Sequence, residues 1–114
     1  MSASTETVLQ NHFLAASDGV DAVMEDFAED SVLITHDATY RGLTEIRQFF
    51  TTLLDGLPDG FFDAFKMNRQ EVEGEFAYTL WEAKPWLPLA TDTFVVRNGK
   101  IRFQTFTACS ASEN

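Results

Sequence analysis

Basic residues are scarce in this chain: eight Lys and Arg stand against eighteen Asp and Glu, a formal charge of -10. The basic residues are scattered, and most have acidic neighbours. Nothing clusters into the surface that nucleic-acid phosphates require, so no nucleic-acid partner is expected. An anionic membrane surface is disfavoured for the same reason. Excess negative charge serves solubility first. The single cysteine, Cys109, cannot close an internal disulfide, and nothing demands an oxidising compartment. In its apolar strand pattern it reads as a buried or idle thiol. The two histidines, His12 and His36, are far apart, and no Cys or His cluster has metal-ligand spacing. Glycine-rich phosphate loops, nucleotide fingerprints and GxSxG elbows are all missing, so neither a metal nor a cofactor is expected. No apolar run approaches a membrane span. Met1 to Thr7 is polar and small, without the apolar stretch of a signal peptide. The expected address is the cytoplasm.

Phenylalanine, by contrast, is abundant, with eleven in 114 residues. The length has room for one domain. Each buried aromatic side chain contributes roughly 1.5–3 kcal/mol, so the chain can fill a core, or line an apolar cavity, without staples.

The first half reads as helix. Val8, Leu9, His12, Phe13 and Ala16 share one face at helical spacing. After the break at Asp18-Gly19, Val20, Val23, Met24, Phe27 and Ala28 form the face of a second short helix that ends at Glu29-Asp30. Ser31 to His36 reads as a strand, Asp37-Ala38 as a turn and Thr39 to Arg41 as a brief second strand. Ile46, Phe49, Phe50, Leu53, Leu54 and Leu57 make the strongest helical stripe, stopped by Pro58-Asp59-Gly60. Beyond Gly60 the period changes to two, giving strands at about 61–73, 75–84, 88–97 and 100–109. Asn98-Gly99 is a type I′ hairpin signal, because that turn needs positive φ at both central residues. Helices first and an antiparallel meander afterwards give an α+β fold. Residues 110–114 read as a disordered tail on a single domain spanning 1–114.

Two segments carry a family resemblance. One is Asp26-Phe27-Ala28-Glu29-Asp30-Ser31-Val32, followed by Tyr40-Arg41-Gly42 and Ile46-Arg47-Gln48-Phe49-Phe50. The other runs from Thr91-Asp92-Thr93-Phe94 through Asn98-Gly99-Lys100-Ile101. In order and spacing they resemble the SnoaL-like branch of the nuclear transport factor two-like superfamily. That resemblance implies a cone-shaped half-barrel, in which a strongly bent antiparallel sheet wraps around N-terminal helices and leaves a pocket. It also implies a homodimer through the convex sheet face. The apolar alternation on both faces of the last strands agrees, since the outer face needs a cover too. It says little of function, because the superfamily holds isomerases, cyclases, dehydratases and assembly domains.

Asp92 is the leading candidate for chemistry. It lies mid-strand between two threonines and shares a face with Phe94 and Val96. A carboxylate facing an apolar hollow has a raised pKa. By position it resembles the inward carboxylic acid of ketosteroid isomerase, a relative of this fold, which donates to an oxyanion while neutral. The other reading is a structural Asp holding a threonine, a helix end or an arginine. In the same relative the base ends the first strand. Counting places that base at Thr35, two residues before Asp37 and on its face, so Asp37 is a candidate base or an ordinary turn aspartate. The relative's first-helix tyrosine falls at Asn11, beside His12, and its absence argues against steroid isomerisation. His12 is a candidate acid or base, or a helix–sheet contact. His36 lies on the opposite strand face from Asp37. Asn11, Tyr40, Trp81, Phe94 and Gln104 are the residues expected around a ligand.

These residues suggest a protein that binds a small apolar or carbonyl-bearing molecule. If it is an enzyme, it is a cofactor-free acid–base catalyst of isomerase, cyclase or dehydratase type, with Asp92 as acid and His12 or Asp37 as base. The alternative is a non-catalytic dimeric binding or assembly module.

Overall fold

A computed structural model describes residues 4–110; of the tail expected at 110–114, residues 111–114 lie outside them. Helix α1 (Thr5–Ala15) starts where the Ser4 hydroxyl accepts from Thr7 N–H at 3.2 Å, with Glu6 complementing the helix dipole in the first turn. Its buried face is Thr5, Val8, Leu9 and His12. A 3₁₀ turn (Ala16–Asp18) leads into the short helix α2 (Val20–Met24). Strand β1 (Phe27–Thr35) follows at once. Phe27 and Ala28 therefore belong to a strand, not to the second helix. Phe27 keeps its apolar spacing from Val23 and packs in the same core, but its backbone pairs opposite Ile101. Ile101 N–H donates to Asp26 C=O at 2.7 Å. The Ser31 hydroxyl accepts from Ala28 N–H at 2.9 Å and donates to Ile101 C=O at 2.6 Å, which steadies the register shift that follows.

Strand β2 (Thr39–Arg41) leads into helix α3 (Gly42–Asp55). Glu45 reaches back to accept from Arg41 N–H at 2.8 Å. Gly42 has φ +82°, and a Cβ there would stand 3.3 Å from Glu29 C=O, so a side chain would be both strained and crowded. Ile46 and Phe50 turn inward from α3. Residues 61–64, expected as strand, form a one-turn helix α4 (Phe61–Ala64). Its hydrogen bond from Ala64 N–H to Gly60 C=O at 3.0 Å turns Phe61 into the core against Trp81 and Trp86. Strands β3 (Phe65–Glu73), β4 (Phe76–Ala83), β5 (Leu87–Arg97) and β6 (Lys100–Cys109) complete the chain. Asn98 and Gly99 have φ of 55° and 76°, as the hairpin signal between the last two strands requires.

The six strands form one sheet in the order β2-β1-β6-β5-β4-β3. It is mixed, not wholly antiparallel: β1 runs parallel to β6, because the chain crosses through α3, α4 and four strands before returning beside its own start. The four later strands are antiparallel throughout. Register shifts at Met67/Arg69, Trp81/Ala83 and Val95/Val96 insert bulges. Bulges increase local twist and bend the strand, so the sheet curves without closing. One core cluster lies between the helices and the sheet and includes Leu9, Val23, Leu33, Ile46, Phe94 and Ile101. A second gathers Phe61, Trp81, Ala83 and Ala90 towards α4. Cys109 is exposed, because the last strand runs past the buried region. No described helix is long and apolar enough to cross a membrane.

Candidate functional site

Between the two clusters lies a cavity of about 290 Å³. Helices α1, α3 and α4 supply His12, Phe50 and Phe61, and the sheet supplies Trp81, Asp92 and Gln104. No Lys or Arg lines it. Its wall is mostly hydrocarbon, with polar groups from the inner face of β4, β5 and β6 (Trp81, Asp92 and Gln104) and from the helical side (His12 and Ser17).

Period two decides which side chains reach that face. In β5, Ala90, Asp92, Phe94 and Val96 are buried, while their alternates face outward. Asp92 is 2% exposed. Cross-strand register places Thr79 opposite it on β4. The Thr79 hydroxyl and Trp81 Nε1–H donate to Asp92 Oδ2 at 3.1 and 2.8 Å, and Gln104 Nε2–H donates to Oδ1 at 3.0 Å. No arginine or lysine takes part. Burial pushes the Asp92 carboxyl above the usual aspartate range. The donors Trp81 and Gln104, the charge of His12 and the Thr79 hydroxyl act the other way and offset it only in part. Burial thus favours the protonated form more than it would for an exposed aspartate, while three neutral donors hold the carboxyl in one orientation.

His12 is 6% exposed and stands among the rings of Phe13, Phe27, Phe50 and Phe94, all edge-on at 5.6–5.9 Å. Its Nδ1 lies 3.1 Å from Asp26 Oδ2. When the imidazole is neutral, a carboxylate partner at Nδ1 requires the proton there and leaves the Nε2 lone pair free. Asp26 is itself fixed by backbone bonds, its N–H to Val23 C=O and its C=O from Ile101 N–H.

Asp92, His12, Trp81 and Gln104 therefore meet at one cavity. Asp37 does not join them: it sits in the exposed turn after β1, beside His36 at 3.3 Å, with its N–H donating to the Thr35 hydroxyl. Asn11 is exposed on the outer side of α1. Tyr40 packs on Phe49 at 5.1 Å and borders a separate shallow depression beside α3. Phe94 is fully buried behind His12 and is part of the core, not of the cavity lining. Thr79 and Asp26 were not among the expected site residues. Thr79 is fixed by the β4–β5 register across the connection at residues 84–86, where no hairpin signal as specific as Asn98-Gly99 marks the pairing. Asp26 follows only once α2 is seen to stop at Met24, which brings its end beside the middle of α1. Among the described residues no three His, Cys, Asp or Glu come together as a metal site would need.

A sequence model of the SnoaL-like domain matches residues 11–104. The chain belongs to this family. No curated protein matches the sequence. Solved structures share the fold of this SnoaL-like domain at low identity. An NTF2-like protein of unknown function from Burkholderia xenovorans is 19% identical, with TM-score 0.75 over 96% of this chain and 86% of that one. A Sinorhizobium meliloti protein provisionally called a polyketide cyclase is 20% identical, with TM-score 0.72 over 88% and 93%. A protein of ketosteroid isomerase-like fold from Catenulispora acidiphila, solved with trimethylamine, is 14% identical, with TM-score 0.67 over 87% and 82%. At these identities the likeness is one of fold.

Proposed function

We propose that this SnoaL-like domain seats a small apolar molecule in the cavity and moves a proton on it without a cofactor. Asp92 acts as the acid and His12 as the base. The observation that carries this reading is Asp92 itself: a carboxyl buried in a hydrocarbon wall, unpaired with any basic side chain of that wall, and held by donors that fix its direction. Such an acid protonates a substrate oxygen, while His12 Nε2 withdraws a proton from a neighbouring carbon and Asp26 stabilises the imidazolium that forms. The Catenulispora relative solved with trimethylamine supports the view that this fold seats small molecules. One- and two-ring apolar compounds should raise the melting temperature of the protein. A ligand at a hundredfold its Kd adds about 2.7 kcal/mol. A panel of such compounds that leaves the melting curve unmoved would contradict the reading.

The outer face of the sheet supports a homodimer. Phe76, Val95, Phe103 and Val32 are successive cross-strand neighbours on that face, and Tyr78, Thr93, Thr105 and Ile34 form the next row. Phe76, Tyr78, Phe103 and Ile34 are all exposed, and these eight residues carry no charge, although Glu73, Glu71 and Arg41 stand at the ends of the rows. A second copy offers the same uncharged surface and closes the pair by two-fold symmetry. Phe103→Glu, at the centre of the rows, should convert a dimer to a monomer in light scattering at micromolar concentration. A wild-type protein that is monomeric there would overturn the dimer.

A further inference from the structure

Gln104 bears on what the ligand's polar group must be. Its Nε2 donates to Asp92 Oδ1 at 3.0 Å, which leaves Oε1 as the other end of the amide. Oε1 is buried and has no hydrogen-bond partner among the described residues, and it is the only buried side-chain polar atom there of which this is true. Gln104 as a whole is 4% exposed and lines the cavity beside Asp92. Buried acceptors are almost always paired, so a donor is called for at this spot.

The candidate head groups differ in what they offer. A carbonyl brings one more acceptor and leaves Oε1 unpaired. A hydrocarbon offers nothing. An ammonium donates, but it brings a charge to a wall in which the Asp92 oxygens already receive three bonds. A hydroxyl donates its proton to Oε1 and keeps its lone pairs for the acid, so it alone both donates and accepts without charge.

Size narrows the class further. An apolar cavity of roughly 150 Å³ holds benzene, so one of about 290 Å³ has room for about two rings.

We infer that the ligand is a one- or two-ring apolar alcohol or phenol whose hydroxyl donates to Gln104 Oε1 and rests against Asp92. This inference depends on the cavity being the ligand site, as proposed above. The test is a calorimetric titration of the full chain with four matched compounds: 2-tetralol, 2-tetralone, 2-aminotetralin and tetralin. 2-Tetralol should bind roughly tenfold or more tightly than the others, since each of them leaves a buried group unsatisfied or unpaired. Gln104→Met, which keeps the volume and removes the amide, should reduce that preference to about twofold or less. A ranking led by 2-tetralone would mean that the amide presents Nε2 to the cavity, and would overturn the hydroxyl while leaving the cavity as the binding site. A ranking led by the amine, equal binding of all four, or an undiminished preference in a folded Gln104→Met protein would overturn it likewise. If the variant does not fold, the wild-type ranking decides by itself. Failure of all four compounds to bind would overturn the cavity reading together with the inference.

Discussion

Asp92→Asn is expected to remove proton transfer and to raise, not lower, stability at neutral pH. The amide is isosteric. Its oxygen still accepts from Trp81 and Thr79, and Gln104 can turn its own amide to offer Oε1 to the new NH₂ group. What disappears is the titration. Burial raises the folded-state pKa of Asp92 above its unfolded value, so folding takes up a proton between the two. The stabilisation tied to Asp92 is therefore complete below the unfolded value, about 3.9, and is lost as pH rises through the folded value. Asp30, Glu75 and Glu82 work in the opposite sense, their carboxyls lowered by hydrogen bonds from Arg102, Arg97 and Asn68. The difference between wild type and variant cancels those groups and leaves Asp92 with its neighbour His12. Melting temperatures from pH 4 to 8 should thus diverge in favour of Asn as pH rises. Turnover should fall by about 10²–10⁴-fold, the usual contribution of a positioned acid. A variant less stable than wild type at pH 7 would instead mark Asp92 as an ionised structural group.

The second large effect is on the fold. Phe94→Ala should cost about 3–5 kcal/mol, the range for emptying a buried aromatic site. A domain of this kind has only about 5–15 kcal/mol to lose. Phe94 is fully buried, with the rings of His12 and Phe13 edge-on at 5.7 and 6.0 Å. The sheet backbone behind it is rigid, and the space cannot collapse without moving α1. Calorimetry should show the melting temperature lowered by roughly 15 °C or more. A loss under about 1 kcal/mol would show that Phe94 lines the cavity, where a void is tolerated.

Much of this was legible in the residues. Period two from Leu87 to Arg97 suffices to put Asp92 on the buried face with Phe94 and Val96, and Asn98-Gly99 suffices for the last hairpin. His12 was legible as part of the buried helical stripe, although not its carboxylate. Three features were hidden because long-range pairing decides them. Phe27 continues the spacing of α2, yet Ile101, seventy-odd residues later, draws it into a strand. Phe61 to Ala64 has strand-like composition, yet the turn at Gly60 and the burial of Phe61 wind it into helix. Beside a meander, the parallel pairing of β1 with β6 has no local signature. Asp37 looked eligible because it ends a strand, and it is out of reach because the chain has already turned at Thr35. Asp26 was hidden by the same boundary that hid the start of β1.

As an acid, Asp92 depends on burial raising its pKa above the ordinary aspartate range. The most direct test is a carbon-13 NMR titration of the Asp92 side-chain carboxyl, with Asp92→Asn to assign the resonance. The midpoint should lie clearly above the ordinary aspartate value of about 3.9 and rise when a neutral apolar ligand closes the cavity. A midpoint at or below that value would show that the donors Trp81, Gln104 and Thr79 hold an ionised carboxylate, and would contradict Asp92 as the acid.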